Sequence, residues 1–373
     1  MTITVEQMRD KLHPIERIRQ VLAATEPLST CGFSLGDTVR FAVEPGWHHG
    51  LDAKAGTDPV DAQILIGPGA ATTTFPLTKD ALLEATSITG LPKTYASRCP
   101  AELLTPQLNY WWREGLAAKG TNIRDYQLLV AGGNGAAITR GSITPFSNLR
   151  LLDEVLAGVH ARYGADVEVL ADYKFTHSLR KTHVRLIVVD EQRTITGTGV
   201  QDDNWSVGVQ FQNSLIGEEK TSINGYLFRY WCTNGATDTK AGSGIWTRRG
   251  GRETDVYEWA RGAVDEVLGG LEGSLDAVQH LTEVPIEGQA NDVLRDVFEH
   301  YRVPVNERTR IIENIVDATG GALTMYSVMA AITEVANDSS LPAAHVDNLL
   351  RMGGDLPHAA DSRCGECRRM LTP

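Results

Sequence analysis

Apolar residues recur at helical spacing across residues 5–24, at Met8, Leu12, Ile15, Ile18 and Leu22, so an amphipathic helix opens the chain, with Pro14 placed to kink or divide it. The period then changes. "GDTVRFAV" alternates as a half-buried strand does, "PGWHHGLDAKAGTDP" is a loop of turn formers, and "AQILIG" and "TTTF" are short strand candidates. Helical spacing returns in "LTKDALLEATSITGLP", capped by Thr78 and stopped at Gly90 ahead of Pro92. "TPQLNYWWREGLAAKG" repeats that grammar, with Pro106 in the first turn and Gly120 beyond the end. "YQLLVAGGNGAAITRG" predicts a hairpin turning at Gly132–Gly135, and "SNLRLLDEVLAGVHARYG" a helix capped by Ser147 or Asn148.

Four apolar-alternating runs follow: "DVEVLADYKF", "THVRLIVVD", "WSVGVQFQNS" and "INGYLFRYWCT". Short polar loops join them, as an antiparallel meander requires. Beyond Glu253 the pattern is helical, with breaks expected at Pro285, Pro304, Gly320–Gly321, Pro342 and Gly353–Gly354. Strands gathered in the middle and helices at the end predict an α+β fold: a central antiparallel sheet flanked by helices, with a helical C-terminal region. The divisions expected are an N-terminal helix and strand with loop (1–60), an α+β core (61–250), an acidic helical region (251–355) and a flexible tail with Cys-x-x-Cys (356–373).

Composition adds little to this picture until charge is located. The chain has 373 residues, 42% of them apolar, enough for more than one core. Its net charge is −12, yet the segment from Glu253 to Glu299 alone sets twelve acids against Arg261 and Arg295, so the remainder is nearly neutral and has basic clusters of its own. No apolar run suits a membrane span, the charged N-terminus is unlike a signal peptide, and five scattered cysteines form no disulfide framework. A cytoplasmic protein is expected.

Four colinear stretches carry a resemblance. They are "FPLTKDALLEATSITGLPKTYASRCPAELLTPQLNYWW", "AAITRGSITPFSNLRLLDEV", "NSLIGEEKTSINGYLFRYWCTNG" and "LTMYSVMAAITEVAND", which together span roughly residues 60 to 340. The chain resembles the phage/plasmid-like proteins grouped as a domain of unknown function, number 932. One departure is that a basic-aromatic His-Gly element of that group, expected after the Cys-Thr-Asn-Gly turn, stands here only as "WTRRGG". The resemblance implies a phage or mobile-element setting, hence a host cytoplasm, and implies no established activity.

Two basic clusters and one aromatic strand supply the candidate chemistry. "KFTHSLRKTHVR" brings Lys174, Arg180, Lys181 and Arg185 together without an acid, with Arg180 and Lys181 expected at a hairpin tip in solvent. "WTRRGGR" adds Arg248, Arg249 and Arg252 in a glycine-rich loop, where guanidinium forks and close backbone amides suit phosphate. In "GYLFRYW", Tyr226 and Arg229 fall on opposite strand faces. Either one face is core and the other a platform of cation and rings for stacking bases, or both are buried and Arg229 is satisfied by an internal acid. With the platform, the two basic clusters make these nine residues the nucleic-acid-binding candidates.

Metal and catalytic signals are weaker. Cys364 and Cys367 form one Cys-x-x-Cys, and His345 with His358 would complete four zinc ligands, at a spacing unlike familiar sites. Free thiols in a tail, or a redox pair, are the alternatives. Asp202, Asp203, Glu218 and Glu219 are candidate metal-binding carboxylates, but they flank one strand at opposite ends, and the His48–His49 pair is a poor chelator without further ligands. "AGGNGAA" lacks the Lys-Ser/Thr of a phosphate loop, and no nucleophile or zinc-protease motif occurs. The functional expectation is a non-enzymatic phage protein that binds single-stranded DNA or RNA as a homo-oligomer in annealing or replication, with no required cofactor. The alternative is an interaction protein that docks a host or phage protein through its acidic helical region.

Overall fold

In β4 (Pro59–Ile66), Val60, Ala62, Ile64 and Ile66 are buried while Pro59, Asp61 and Gln63 face solvent, the two-residue period of a half-buried strand. The computed structural model describes residues 12–26, 29–34, 39–47, 58–115, 125–140, 145–172, 176–177, 181–200, 202–216, 220–230, 234–245, 253–286, 290–318, 324–338 and 340–360. The fold is α+β, with two sheets where one central sheet was expected.

The smaller sheet runs in the order β2 (Ser29–Ser34), β6 (Asp125–Ala131), β7 (Asn134–Arg140), β5 (Thr73–Thr78), β4 and β3 (Val39–Val43). Its pairings are antiparallel except β5 with β7, which is parallel at Leu77 and Gly135. The β6–β7 turn sits where the glycines predicted, with Gly132 at φ +58° and Gly133 at φ +81°. Helix α2 (Lys79–Thr89) starts at Thr78, whose Oγ1 accepts from the Ala81 N–H at 3.3 Å and donates to the Ala136 carbonyl at 2.9 Å. One residue thus caps the helix and ties it to the sheet. After α3 (Lys93–Ala96), helix α4 (Ala101–Tyr110) begins five residues before Pro106, which lies inside it rather than in its first turn. Asn109 clamps α4 to β3, accepting from the Phe41 N–H and donating to the Phe41 carbonyl, both at 2.8 Å. A π-helical turn (Trp111–Gly115) follows, and Trp112 is buried against Phe33, Phe41 and Tyr126.

The larger sheet runs β1 (His13–Pro14), β8 (Val169–Ala171), β10 (Thr182–Thr194), β11 (Asn204–Asn213), β12 (Thr221–Arg229) and β13 (Asn234–Ile245), with β9 (Thr176–His177) also on β10. Pro14 closes β1 and immediately precedes α1 (Ile15–Thr25), so it bounds the described helix rather than kinking it, and residues 5–11 of the expected helix lie outside the described residues. β13 was not expected. Its sequence, "NGATDTKAGSGI", carries no apolar alternation, and its pairing with β12 supplies the hydrogen bonds that define it.

Val184, Leu186, Val209, Phe211, Ile223 and Leu227 of this sheet belong to the main core, which they share with α5 (Asn148–Tyr163) and α6 (Glu253–Leu281). The same core takes in α7 (Ala290–His300), α8 (Val305–Ala318), α9 (Met325–Ala336) and α10 (Ala343–Ala360). Ile187, Tyr226, Phe228 and Tyr230 form a separate cluster with Leu12. α10 continues through Gly353–Gly354, where a break was expected. A Cβ at Gly353 would stand 2.9 Å from Thr333 Cγ2, so this glycine permits close approach of α9 and α10 instead of ending a helix.

Candidate functional site

Asn213, in one of the stretches that carry the family resemblance, serves as internal bracing. Asn213 is buried and donates to the Phe146 carbonyl at 3.0 Å and to Asn148 Oδ1 at 2.8 Å, while its own Oδ1 accepts from Thr221 Oγ1 at 2.8 Å. Asn148 in turn donates to Thr182 Oγ1 at 3.2 Å. A satisfied polar chain therefore locks the start of α5 to β10, β11 and β12.

The aromatic strand is internal on both faces, which corrects the platform reading for Tyr226 and Arg229, and Arg185 of the basic cluster is buried too, which corrects its reading as a nucleic-acid contact. Tyr226 is 1% exposed and donates to Asp172 Oδ2 at 2.9 Å. Arg229, 5% exposed, donates to Asp203 Oδ1 at 2.8 Å and Oδ2 at 2.6 Å, and Tyr326 donates to that same Oδ2. Burial pushes the Tyr326 hydroxyl well above the ordinary tyrosine range. Asp203 is thereby committed to an ion pair and is not a free metal ligand, and Asp202 is exposed.

Arg185 is likewise inside. It donates through Nε to Gln210 Oε1 at 2.9 Å and through Nη2 to Asp347 Oδ1 at 3.3 Å, and its Nη1 lies 3.6 Å from Asp172. Lys181 pairs with Asp347 Oδ2 at 2.8 Å, and His183 stands 3.4 Å from Asp347 Oδ1. Burial would raise Asp347, but hydrogen bonds and charge from His183 and Lys181 outweigh it and hold this carboxyl well below the usual range. Lys174, Arg180, Arg248, Arg249 and Arg252 lie outside the described residues, as do Glu218, Glu219, His48, His49, Cys364, Cys367 and the side chain of His358. Among the described residues, no three His, Cys, Asp or Glu side chains are placed to hold a metal. His345, the remaining zinc candidate, instead sets Nδ1 3.0 Å from Glu307 Oε1.

Beside the Asp347 network opens a cavity of about 540 Å³, and it holds the side chains that the sequence did not advertise. The sheet contributes Lys181, Gln212 and Lys220 from one end of β10, β11 and β12. The α7–α8 connection contributes Tyr301 and Arg302, helix α8 contributes Glu307, and α10 contributes His345, Asp347 and Arg351. Four cationic side chains thus meet two carboxylates. Asp347 is occupied by Lys181, whereas Lys220, Arg302 and Arg351 have no carboxylate partner among the described residues.

Arg302 reaches this rim by an unusual backbone route. α7 ends with the Val303 N–H bonded to the Phe298 carbonyl at 2.9 Å and the Arg302 N–H to the Glu299 carbonyl at 3.1 Å, a Schellman closure. Its left-handed position, normally glycine, is held by Arg302 at φ +52°. Of the sequence candidates among the described residues, Lys181 and His345 line the cavity. Arg302 had a weak signal in sequence, a non-glycine residue where a helix stops shortly before Pro304. Lys220, Arg351, Gln212 and Glu307 had none, because long-range folding alone brings them together.

No family model, curated protein or solved structure matches the chain. The helix that carries most of the acidic block buries its apolar face and leaves Asp265 and Asp276 exposed. α6 buries Val256, Tyr257, Val264, Leu268 and Leu271, and its Asp265 and Asp276 pair with Arg162 and Arg193. Among the described residues no helix is long and apolar enough to cross a membrane. Exposed rings do occur, at Tyr95, Tyr110 and Trp111 of the smaller-sheet unit.

Proposed function

We propose that this chain binds single-stranded nucleic acid without catalysing a reaction, and that the cavity beside Asp347 grips its phosphate backbone. The supporting observation is that Lys220, Arg302 and Arg351 line an open cavity with no carboxylate partner among the described residues. Cations already paired inside a fold, such as Arg185 and Arg229, have their charge spent on internal acids. Cations left unpaired at a cavity rim keep theirs for a ligand, and a phosphodiester supplies acceptors that suit both arginine forks and a lysine. The phage setting and the homo-oligomer acting in annealing or replication belong to the same proposal.

Three phosphate contacts predict a modest salt dependence, with log affinity falling against log salt at a slope of about −2 for a single strand. A fluorescence-anisotropy titration with a labelled oligonucleotide, repeated over a salt series, measures it. The expected outcome is micromolar or tighter binding at low salt that is lost in the K220E/R302E/R351E triple variant. Absence of binding by the folded wild-type chain, or binding unaffected by the triple charge reversal, overturns the proposal.

A further inference from the structure

The charges around the cavity do not balance. Lys181, Lys220, Arg302 and Arg351 line it against two carboxylates, Asp347 and Glu307, which leaves a surplus of two positive charges. Lys181 is offset by Asp347, and Glu307 faces His345, with Oε1 3.0 Å from Nδ1. Behind the wall, Arg185 and Asp172 stand against each other and add no net charge. The surplus therefore falls on Lys220, Arg302 and Arg351, and solvent reaches all three: Lys220 and Arg302 are exposed and Arg351 is half-buried. Two helices also begin here, α8 beside Pro304 and Glu307 and α10 beside His345, and the partial positive charge of each N-terminus adds to that of the side chains.

We infer that the cavity receives a terminal phosphate of the strand rather than a phosphate within it. The inference rests on the nucleic-acid reading above and names the part of the strand that the site recognises. An internal phosphodiester carries a single negative charge and leaves part of the surplus unmatched. A terminal phosphomonoester carries about −1.5 to −2 near neutral pH and offers three strong acceptor oxygens. It balances the surplus, and its oxygens can serve Lys220, Arg302 and Arg351 together through charge-assisted hydrogen bonds. Size favours the same end. A cavity of about 540 Å³ holds about one nucleotide. An internal nucleotide would have to bring the strand both into that space and out of it, whereas an end enters once. A cationic surface that merely attracts backbone has no reason to distinguish an end from the middle, so an end preference separates a built site from general attraction.

The test titrates three internally labelled oligonucleotides of one sequence against the full chain, by anisotropy: one phosphorylated at the 5′ end, one at the 3′ end and one with hydroxyls at both. One of the two phosphorylated strands is expected to bind about tenfold more tightly than the unphosphorylated strand, the gain from an added charge-assisted hydrogen bond. The other phosphorylated strand should bind as the unphosphorylated one does, because only one polarity can enter the cavity. Arg302→Gln and Arg351→Gln each remove one cation and should narrow the preference while affecting the unphosphorylated strand less; two variants keep the inference testable if one fails to fold. Equal binding of the three strands, the same gain from either phosphorylated end, or an undiminished preference in the folded variants overturns the inference and leaves the proposed function standing. Failure to bind all three strands overturns the proposed function and this inference together.

Discussion

Arg302 carries two opposed demands on one residue. An L-residue in the left-handed region costs about 1 kcal/mol relative to the glycine that normally closes such a helix. Arg302→Gly should therefore stabilise the fold by about that amount in chemical denaturation. The same change removes a rim cation and should weaken oligonucleotide binding while flattening its salt slope by about 1. Unchanged affinity and slope would mean that Arg302 does not meet phosphate. Asp347 sits at the other extreme, fully committed inside. Its carboxyl is held below the ordinary range, so the folded state binds its proton more weakly than the unfolded chain does. The resulting stabilisation is complete above the unfolded value of about 4 and drains away as pH falls below it toward the depressed folded value. Asp347→Asn leaves Lys181, His183 and Arg185 short of a counter-charge. It should cost about 3 kcal/mol at neutral pH and make stability less sensitive to acid below about pH 4. A stability–pH curve parallel to that of wild type would contradict this.

At the scale of elements, what could be read from sequence was whatever is decided locally. Thr78 before an amphipathic run, Ser147 before another and Gly132–Gly133 between two alternating runs each carry their own reason, and each stands where expected. β13 was illegible because small polar residues show no period, and its strand exists through its pairing with β12. Gly353–Gly354 misled because a glycine pair marks a helix end only when nothing crosses it, and here α9 does. The site divides the same way. Basic runs in sequence identified cations, but burial decides which of them are available. Arg185 and Arg229 were claimed by Asp172, Asp347 and Asp203, residues far from them along the chain. The rim formed by Lys220, Arg302 and Arg351 draws on a strand end, an interhelix turn and a late helix, a combination that no local pattern announces.

At the scale of the whole molecule, two hydrophobic cores are joined by a small cluster. One core fills the smaller sheet with α2 and α4, and the other fills the space between the larger sheet and the remaining helices. Leu129, Ala131, Ala136 and Ala137 of the smaller sheet meet Leu215 and Ile216, which follow β11 of the larger one. Each main core holds enough large side chains to persist alone, at about 1.5–3 kcal/mol for each fully buried Leu or Ile. The joining cluster has two large residues on one side and mostly alanines on the other, so unfolding cooperativity between the cores rests on a few contacts. Truncating Leu215 and Ile216 together to alanine should cost about 4–10 kcal/mol if the costs add, and the loss falls on the junction rather than on either core. Calorimetry of that double variant is expected to resolve two transitions where the wild type shows one. Oligonucleotide affinity should remain, because every cavity residue belongs to the larger-sheet unit. One transition displaced to lower temperature would instead mean that the two cores are coupled through contacts beyond this cluster.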